Sequence, residues 1–576
     1  MTSISKSSPT LLKKKKKKDN NTSDEFKKEI IQHLLPWPGE VRQGQLFTWG
    51  RGSHGQLGHG MYYPKENCAI PYPVPKMNNV IWVSCGGGQQ GCTACVTNLG
   101  AVYTFGNNSG HRLGHKDVKT PNERVRQPKL VKYLDHDPIV QVSCGLYHML
   151  ALSRLGTVYS WGTNRSGVLG VGVQDQKHVE HQPVLIQRLD NILWINCESD
   201  YCGCLNNTGR VYMWGSNLWG GGVGGRTKGP KWTGKLGLGE EAGKYKSVPQ
   251  VLSSLSNAFI QRLNLGSVYA GCCSEDGALY MWGYGGHGNL GLGNRESYSS
   301  PQRVEYLKDE QIIDVACTVG QEGPKGDFYP KKTGGEGPHT ICLSLTGDMY
   351  TFGTCHKGVL SNLAAKTGAF NEPFDELLPY KVGYDKIKNA TNKPPISPHA
   401  AWPPPYAKAM GASVCSIVSA HIHCGLITSK GEAWAWGCGS NDGRCGVERF
   451  LNMSGDGRPP KVDEMKCYLM QPHRIGVARK EYWKYGKGLQ DVNVLQIASG
   501  RNHMAAIGLV KEDLIKNTKD YLDQKKKADE VSSNLSITSS SSSSDDDENE
   551  KDKDNNHTST TNIEYSESMI SLKGQK

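Results

Sequence analysis

The sequence has no run of about 18 or more apolar residues, the length that a membrane-spanning helix needs. Its first residues lack the apolar core and the small-residue cleavage site of a secretory signal peptide. A glycine-rich phosphate loop, an HExxH zinc motif and a Gly-x-Ser-x-Gly nucleophile turn are also absent. We therefore expect a protein with no membrane span, located in the nucleus and/or the cytoplasm, and without covalent catalytic machinery.

Cysteine is too sparse, at 18 of 576 residues, for a disulfide scaffold in a chain without a secretory signal. Cys92 and Cys95 form a CxxC pair, and Cys202 and Cys204 form a CxC pair. Both pairs lie in apolar, strand-like segments, and no second pair follows at the spacing of a zinc site. We expect reduced thiols packed in the core, no bound metal and no cofactor.

Negative charge is scarce in the middle of the chain. The formal net charge is +12. Residues 1–45 contain ten Lys or Arg and five Asp or Glu, whereas residues 511–576 contain ten and fifteen, so the two ends cancel. The positive excess therefore belongs to the middle of the chain. It predicts an acidic partner, such as chromatin or an acidic protein surface.

Glycine, by contrast, is abundant, and many of the 69 glycines mark an internal repeat. A pattern of an apolar residue, an aromatic residue, a small or polar residue, an aromatic residue and glycine occurs seven times. The copies end at Gly50, Gly106, Gly162, Gly215, Gly283, Gly353 and Gly437. Most copies continue into a Gly-x-Leu-Gly turn, followed by Pro-x-x-aliphatic and two further strand-like segments. Each unit thus predicts about four short strands, the content of one β-propeller blade.

The last unit lacks an aromatic-glycine strand of its own. Its segment 494–509 ends before an eighth copy, and the first copy, Leu46–Gly50, has no preceding strands. The N-terminal strand is therefore predicted to complete the last blade and to remove the open sheet edges. We expect a seven-bladed propeller over 46–509, a basic, mostly disordered tail with a short amphipathic segment over 1–40, and a polar, Ser/Asp-rich disordered tail over 511–576.

The aromatic-glycine strand, the Gly-x-Leu-Gly turn and the "SCG…H" strand resemble the repeat of the regulator of chromosome condensation family. The resemblance covers about 46–509 and implies an all-β, seven-bladed propeller of that type. The founding member of that family is the nucleotide exchange factor of the GTPase Ran and binds nucleosomes through a basic tail. Two functions stay open for a monomeric protein: a non-catalytic protein-interaction scaffold, and a guanine-nucleotide exchange factor for Ran or another small GTPase.

One column of residues lies eight positions before a second turn glycine in six units, and at the matching position of the last unit, where no such glycine follows. Its members are Cys92, His148, Tyr201, Tyr269, His339, His423 and His503. The six glycines are Gly100, Gly156, Gly209, Gly277, Gly347 and Gly431. Four histidines in one ring suggest a metal or acid–base site. The repetition itself favours the alternative, a structural hydrogen bond formed in each blade.

The resemblance implies candidate GTPase contacts at four positions: Asp200, His503, His148 and His423. Asp200 matches an acidic site of the family's exchange face, and His503 matches a histidine site. The sequence departs from the family pattern at Leu146, where an aspartate is expected, and at Val268 or Pro338, where a histidine is expected. The resemblance also implies a wedge after the third repeated strand, an extended segment that displaces the switch loops of the GTPase. The corresponding segment here, "GTNRSGVLG", has little extra length. These departures favour the interaction scaffold.

Insertions and tails supply further candidate contacts, because binding loops concentrate on rigid scaffolds. A glycine-rich segment in the fourth copy contains the candidates Arg226, Lys228, Lys231 and Trp232, which suit contact with phosphates or an acidic protein face; a mobile loop is the alternative. The insertion 319–338 contains the candidates Lys325, Phe328 and Tyr329, and 361–412 is a Pro-rich excursion. The run Lys13, Lys14, Lys15, Lys16, Lys17 and Lys18 is a candidate for nuclear import or nucleic-acid contact. A solvated charge run is the alternative.

Overall fold

The computed structural model describes residues 43–60, 67–118, 123–173, 175, 177–218, 234–318, 337–355, 358–361, 374–382, 413–439, 443–446, 451–452, 461–462, 468–475 and 488–510. The chain divides into two compact units, Met1–Leu514 and Ile515–Lys576, and every described residue lies in the first. Both predicted tails lie outside the described residues. Within the described part, no helix is long and apolar enough to cross a membrane.

The described residues form seven four-stranded antiparallel sheets, which are the blades of a β-propeller. In each blade the first strand lines the central axis and the fourth strand lies at the rim. The predicted all-β, seven-bladed fold is confirmed. Short strands that are buried at every position, such as His148–Ser153, suit this architecture because both faces of each sheet are covered by the neighbouring blades.

In blades 1 to 6 the strands follow one another along the chain from the first to the fourth. Blade 1 contains Val80–Gly86, Cys92–Thr97, Val102–Asn107 and Arg124–Leu130, and blade 2 contains Ile139–Cys144, His148–Ser153, Val158–Thr163 and Val179–Leu185. Blade 3 contains Ile192–Glu198, Tyr201–Asn206, Val211–Ser216 and Tyr245–Val251, and blade 4 contains Ile260–Leu265, Tyr269–Ser274, Leu279–Gly283 and Tyr298–Arg303. Blade 5 contains Ile312–Cys317, His339–Ser344, Met349–Cys355 and Phe374–Lys381, and blade 6 contains Val414–Ser419, His423–Thr428, Ala433–Cys438 and Tyr468–Arg474.

Blade 7 joins the two ends of the propeller. Its strands are Val492–Ser499, His503–Val510, Gln45–Arg51 and Asn67–Pro73. Leu46 lies opposite Ile507, which confirms closure by the N-terminal strand. The fourth strand of this blade is N-terminal as well. Pro71 and Val74 show the Pro-x-x-aliphatic spacing of the other units, so the sequence already carried this signal.

Minor elements complete the described structure. Single-turn 3-10 helices cover Gly88–Gln90, Ser109–His111, Arg165–Gly167, Glu240–Ala242, Ser253–Leu255 and Glu305–Leu307. A two-stranded ribbon pairs Leu451–Asn452 with Lys461–Val462.

The aromatic residue before the glycine that ends each repeated strand packs against the neighbouring blade. We call the contact between two blades a seam and name it by its blades. In seam 1/2, Trp161 is fully buried, and its indole Nε1 donates to the carbonyl of Arg112 over 2.8 Å. Arg112 is the variable residue of the corresponding turn of blade 1, His111–Gly114, in which histidine replaces the first glycine of Gly-x-Leu-Gly. Gly114 ends that turn at φ +75°, and a Cβ there would lie 2.8 Å from the Trp161 indole nitrogen. The two halves of the repeat therefore fit each other across the seam.

Side chains of the first strands join the blades around the axis, where they surround a channel of about 160 Å³. The Gln141 amide donates to the carbonyl of Ile195 and accepts from its N–H, over 2.9 and 3.0 Å. Gln496 pairs with Val83 in the same way. A register shift precedes these glutamines, and such bulges re-aim a side chain. The ring is thus a rigid support for its loops.

Candidate functional site

One face of the propeller carries the loops that join first to second strands and the turns that follow third strands. These connections share a face because the strands of each blade are antiparallel. We call it the loop face. The opposite face carries the tight turns between second and third strands, such as 154–156. Leu218 and Gly234 on the loop face flank one insertion, and Thr318 and Gly337 flank another.

Asp200 lies on the loop face at seam 3/4, where it forms a buried ion pair. Its Oδ1 lies 2.5 Å from the Nζ of Lys235, and the two side chains are 5% and 0% exposed. The Lys235 ammonium also lies 4.8 Å from the ring centroid of Tyr201. Tyr201 donates across the seam to the carbonyls of Gly266 and Tyr269. The charges are therefore enclosed by the seam, and loss of one would leave the other buried without its partner.

The histidine column lies just below the loop face and is buried. His148 Nε2 lies 3.1 Å from the thiol of Cys202 in the next blade, and His503 Nε2 lies 3.0 Å from the hydroxyl of Thr93. Burial lowers the pKa of His503 to about 4, and burial also lowers the pKa of His423 well below its ordinary value. These contacts correspond to the structural alternative, a hydrogen bond formed between blades.

The four candidate GTPase contacts are thus all inside the ring. Asp200 is 4% exposed, His148 1%, and His423 and His503 0%. Alignment of the repeats shows which positions are equivalent, but it does not show how far their side chains are buried. Asp200, His148 and His503 form buried polar contacts, whereas neither ring nitrogen of His423 has a hydrogen-bond partner among the described residues. A partner on the loop face would meet the residues above these four side chains. Leu146 and Val268, at which the family pattern fails, are buried as well.

Tyr147 and Arg165 present an aromatic and a cationic group at the surface of the loop face. The Arg165 guanidinium carbon lies 4.5 Å from the Tyr147 ring centroid, and both residues are half-buried. Tyr147 directly precedes His148 at the start of a second strand, which fixes its position. The sequence analysis missed this pair although Tyr147 lies in the same repeat column as Asp200 and Val268, because only the acidic and histidine positions of that column were considered. The remaining candidates, Arg226, Lys228, Lys231, Trp232, Lys325, Phe328, Tyr329 and the lysine run, lie outside the described residues.

Seam 2/3 brings together the one group in the described part of the chain that offers three close metal-type ligands. The ligand atoms of His148, Cys197 and Cys202 all lie within 4.8 Å of one another, and all three residues are buried. Burial opposes ionisation of the Cys197 thiol, but the adjacent Cys202 thiol and the His148 imidazole lower its pKa. Cys204, the other member of the CxC pair, is not in this group. The 17 cysteines in the described part of the chain are reduced and buried.

Known proteins contain the same repeat. The family model of the regulator of chromosome condensation (RCC1) repeat matches residues 43–92, 100–152, 156–205 and 276–320. The human E3 ubiquitin-protein ligase HERC2 is 31% identical over 281 residues, which are 48% of this chain and 5% of HERC2. The Arabidopsis thaliana ultraviolet-B receptor UVR8 is 28% identical over 394 residues, which are 67% of this chain and 73% of UVR8. The chain therefore spans only a small part of HERC2 but most of UVR8.

Solved structures share the fold at low identity. Human WBSCR16 superposes with a TM-score of 0.58 at 19% identity, covering 81% of this chain and 99% of WBSCR16. Prp20p from Saccharomyces cerevisiae superposes with a TM-score of 0.57 at 19% identity, covering 86% of this chain and 98% of Prp20p. The matched repeats, the interlocking turns and the closed seven-bladed ring agree: the chain contains repeats of the regulator of chromosome condensation type and folds as a seven-bladed propeller.

Proposed function

We propose that the protein is a non-catalytic interaction propeller that binds a protein partner through its loop face. The observation that carries the proposal is the Tyr147–Arg165 pair, whose cation lies 4.5 Å from the aromatic ring at the surface of that face. Tyrosine and arginine are enriched at the centres of protein interfaces, where they contribute much of the binding energy. Tyr147 adjoins a strand and Arg165 lies in a single-turn 3-10 helix, so their backbone positions are already fixed. A partner that covers the pair would therefore lose less conformational entropy on binding.

The chemistry of the ring supports binding and not catalysis. Three histidines of the column, His339, His423 and His503, are held neutral by burial, as their lowered pKa values indicate. A group that titrates near pH 3 or 4 and has no access to solvent is poorly suited to general acid–base catalysis at neutral pH. The positive excess in the middle of the chain favours a partner with an acidic surface.

A charge reversal at the surface tests the loop face. Arg165→Glu is expected to weaken partner binding at least tenfold, because it removes the cation and repels an acidic partner. Arg154→Glu is the matched control, since Arg154 is exposed in the same blade but lies on the opposite face. Quantitative affinity capture followed by titration of each captured protein against both variants gives the measurement. Equal retention of every partner by the two variants would contradict the proposal.

A second candidate function is guanine-nucleotide exchange on Ran or another small GTPase. The structure of Prp20p, which shares the fold, is described together with its binding to Gsp1p and histones. We propose to test exchange through labelled GDP release from Ran-, Rho- and Arf-type GTPases. Arg165→Glu should slow release at least tenfold if the loop face is the exchange face. Asp200→Ala is a weaker probe than Arg165→Glu because it also breaks the buried pair with Lys235.

We also propose that the basic tail directs the protein to the nucleus or to nucleic acid. Replacement of Lys13–Lys18 by alanine should reduce nuclear accumulation, or weaken nucleic-acid binding and make its salt dependence shallower. Folding should not change, because the run lies outside the predicted ring. A monomer is expected in size-exclusion chromatography with light scattering. Unchanged location and unchanged nucleic-acid binding would leave the lysines as a solvated charge run.

A further inference from the structure

Seam 2/3 and seam 5/6 bury the same three positions with different chemistry. Each set contains the column histidine of one blade, the second residue of the next blade's second strand, and a residue near the end of that blade's first strand. We call such a set a seam triad. The triad of seam 2/3 is His148, Cys202 and Cys197. The triad of seam 5/6 is His339, Cys424 and Ser419.

The triad of seam 2/3 has the geometry of a small ligand set. Cys197 and Cys202 are directly opposite each other on antiparallel strands, so both thiols extend from the same side of the sheet. His148 approaches from the neighbouring blade, and its Nε2 lies 3.1 Å from the Cys202 sulfur. All three ligand atoms lie within 4.8 Å of one another. Ligands of a tetrahedral zinc ion are about 3.3–3.8 Å apart, given the usual bond lengths, so only small side-chain rotations are needed.

We propose that His148, Cys197 and Cys202 form a binding site for a thiophilic d10 cation, Zn²⁺ or Cu⁺. Thiolate sulfur and imidazole nitrogen are the donors that both ions prefer. Two thiolates neutralise Zn²⁺, and one thiolate beside one protonated thiol neutralises Cu⁺. Either loaded site therefore adds no net charge to an interior that penalises charge, and the displaced thiol protons pass to solvent. The three residues are 1%, 4% and 0% exposed, so the protein itself supplies every ligand of a three-coordinate cation.

The triad of seam 5/6 serves as an internal control. There the His339 Nε2 lies 3.2 Å from the Cys424 sulfur and 3.0 Å from the Ser419 hydroxyl. The arrangement is the same except that oxygen replaces one sulfur. A neutral hydroxyl is a poor ligand for a soft cation, and in this triad Ser419 and Cys424 contact the His339 Nε2 at hydrogen-bond distance. The two triads therefore differ in one side-chain atom, a sulfur in Cys197 and an oxygen in Ser419. A single substitution can exchange this atom in either triad.

The reciprocal exchange of that atom is the test. The full-length protein is stripped of metal under reducing conditions and titrated with Co²⁺, whose thiolate charge-transfer absorption reports sulfur ligands. Zn²⁺ and Cu⁺ affinities are measured separately, by competition with a chromophoric chelator for each ion. Wild type should bind one equivalent at the triad. Cys197→Ser, which copies seam 5/6, should weaken binding at least 100-fold and remove about half of the charge-transfer absorption. Cys204→Ser is the matched control, because Cys204 is a buried thiol on the strand of Cys202 but outside the triad, and it should bind like wild type.

Ser419→Cys provides the gain of function. It reproduces the two-thiol triad at seam 5/6 and should raise the stoichiometry from one to two equivalents. The competition arms then show whether Zn²⁺ or Cu⁺ is preferred. The proposal is overturned if wild type binds neither ion tightly, or if Cys197→Ser binds as tightly as wild type. If Cys197→Ser does not fold, folded Ser419→Cys decides alone: no second equivalent overturns the proposal.

Discussion

Seams with tryptophan and seams with phenylalanine satisfy the same buried turn carbonyl with different hydrogen-bond donors. In five described seams a buried tryptophan donates its indole N–H to the carbonyl of the variable residue in the preceding Gly-x-Leu-Gly-type turn. The pairs are Trp49 with Arg444, Trp161 with Arg112, Trp214 with Val168, Trp282 with Lys235, and Trp436 with Val359. Phe105 and Phe352 have no such donor. Their turn carbonyls, on Gln56 and Asn289, would remain unsatisfied without another group.

Threonine supplies the missing hydrogen bond in both phenylalanine seams. Thr93 lies directly opposite Phe105, and its hydroxyl donates to the carbonyl of Gln56 over 2.8 Å. Thr340 lies directly opposite Phe352 and donates to the carbonyl of Asn289 over 2.8 Å. A buried carbonyl without a partner costs about 1–3 kcal/mol. What recurs from blade to blade is therefore the satisfied carbonyl, and the aromatic residue is one of two ways to achieve it.

Opening the ring removes a whole strand of blade 7 and should have the largest effect on stability. Deletion of residues 1–50 removes the strand that pairs with His503–Val510, so blade 7 gains an open edge. We expect unfolding or oligomerisation, measured by circular dichroism and light scattering. Deletion of residues 1–38 is the control and should leave the melting temperature nearly unchanged. Similar behaviour of the two truncations would disprove closure through the N-terminal strand.

The buried histidines should make the propeller less stable in acid. Burial lowers the pKa of His339 to about 3 and of His503, His59 and His115 to about 4, below the ordinary value of 6.5. The unfolded chain therefore binds more protons, and stability that is complete above pH 6.5 is lost as the pH falls towards 4. Each pKa unit corresponds to about 1.4 kcal/mol. Asp314 acts in the opposite direction, because burial raises its pKa to about 6.

Urea unfolding at pH 7, 6 and 5 and constant ionic strength measures this loss. We expect a decrease of several kcal/mol in the free energy of unfolding between pH 7 and pH 5. His503→Gln keeps a polar group near Thr93 but removes one titrating group, so its slope against pH should be shallower than that of wild type. A free energy of unfolding that is independent of pH in this range would show that the buried histidines do not remain neutral.

Loss of one tryptophan should be costly but should not open the ring. Trp161→Ala is expected to reduce the free energy of unfolding by about 3–5 kcal/mol, as large-to-small changes at buried aromatic residues do. Leu155→Ala is the control, because Leu155 is 78% exposed in the same blade; it should change stability by less than about 0.5 kcal/mol. Denaturant unfolding provides both values. A near-neutral Trp161→Ala would mean that the seam is not packed as described.

The architecture was predictable because it is repeated seven times. The copies that end at Gly50 to Gly437 fixed the number of blades, and the incomplete last unit showed how they close. The fourth strand of blade 7 was missed although Pro71 and Val74 carry its spacing. One weak strand signal is easily overlooked beside six stronger ones.

The site was predicted less well because depth and neighbours come from the ring and not from the repeat. Asp200 and His503 matched a family column, yet the column gives no sign that both are enclosed by a seam. The sequence analysis grouped Cys202 with Cys204 as a CxC pair. In the structure the thiol of Cys202 lies near Cys197, across the hairpin, and near His148, 54 residues earlier in the chain. Contacts between blades join positions that are distant in sequence, so local motifs do not reveal them.

The smallest effect is the most specific, because it exchanges one type of seam for the other. Trp161→Phe removes the indole N–H and leaves the carbonyl of Arg112 without its donor, which should cost about 1–3 kcal/mol. Met149 lies opposite Trp161, at the position that Thr93 holds opposite Phe105. Met149→Thr alone should destabilise the protein, because it places a hydroxyl in a seam whose carbonyl already has a donor. In the Trp161→Phe background the same threonine should donate to the free carbonyl.

The double mutant should therefore be more stable than the sum of the single changes predicts. We expect a coupling energy of about 0.5–1.5 kcal/mol, the usual net value of one hydrogen bond, measured by a double-mutant cycle in urea. Met149→Val is the matched control: valine has the shape of threonine without the donor, so it should show no such coupling with Trp161→Phe. Equal coupling for threonine and valine would mean that the fit of the side chain, and not the hydrogen bond, distinguishes the two types of seam.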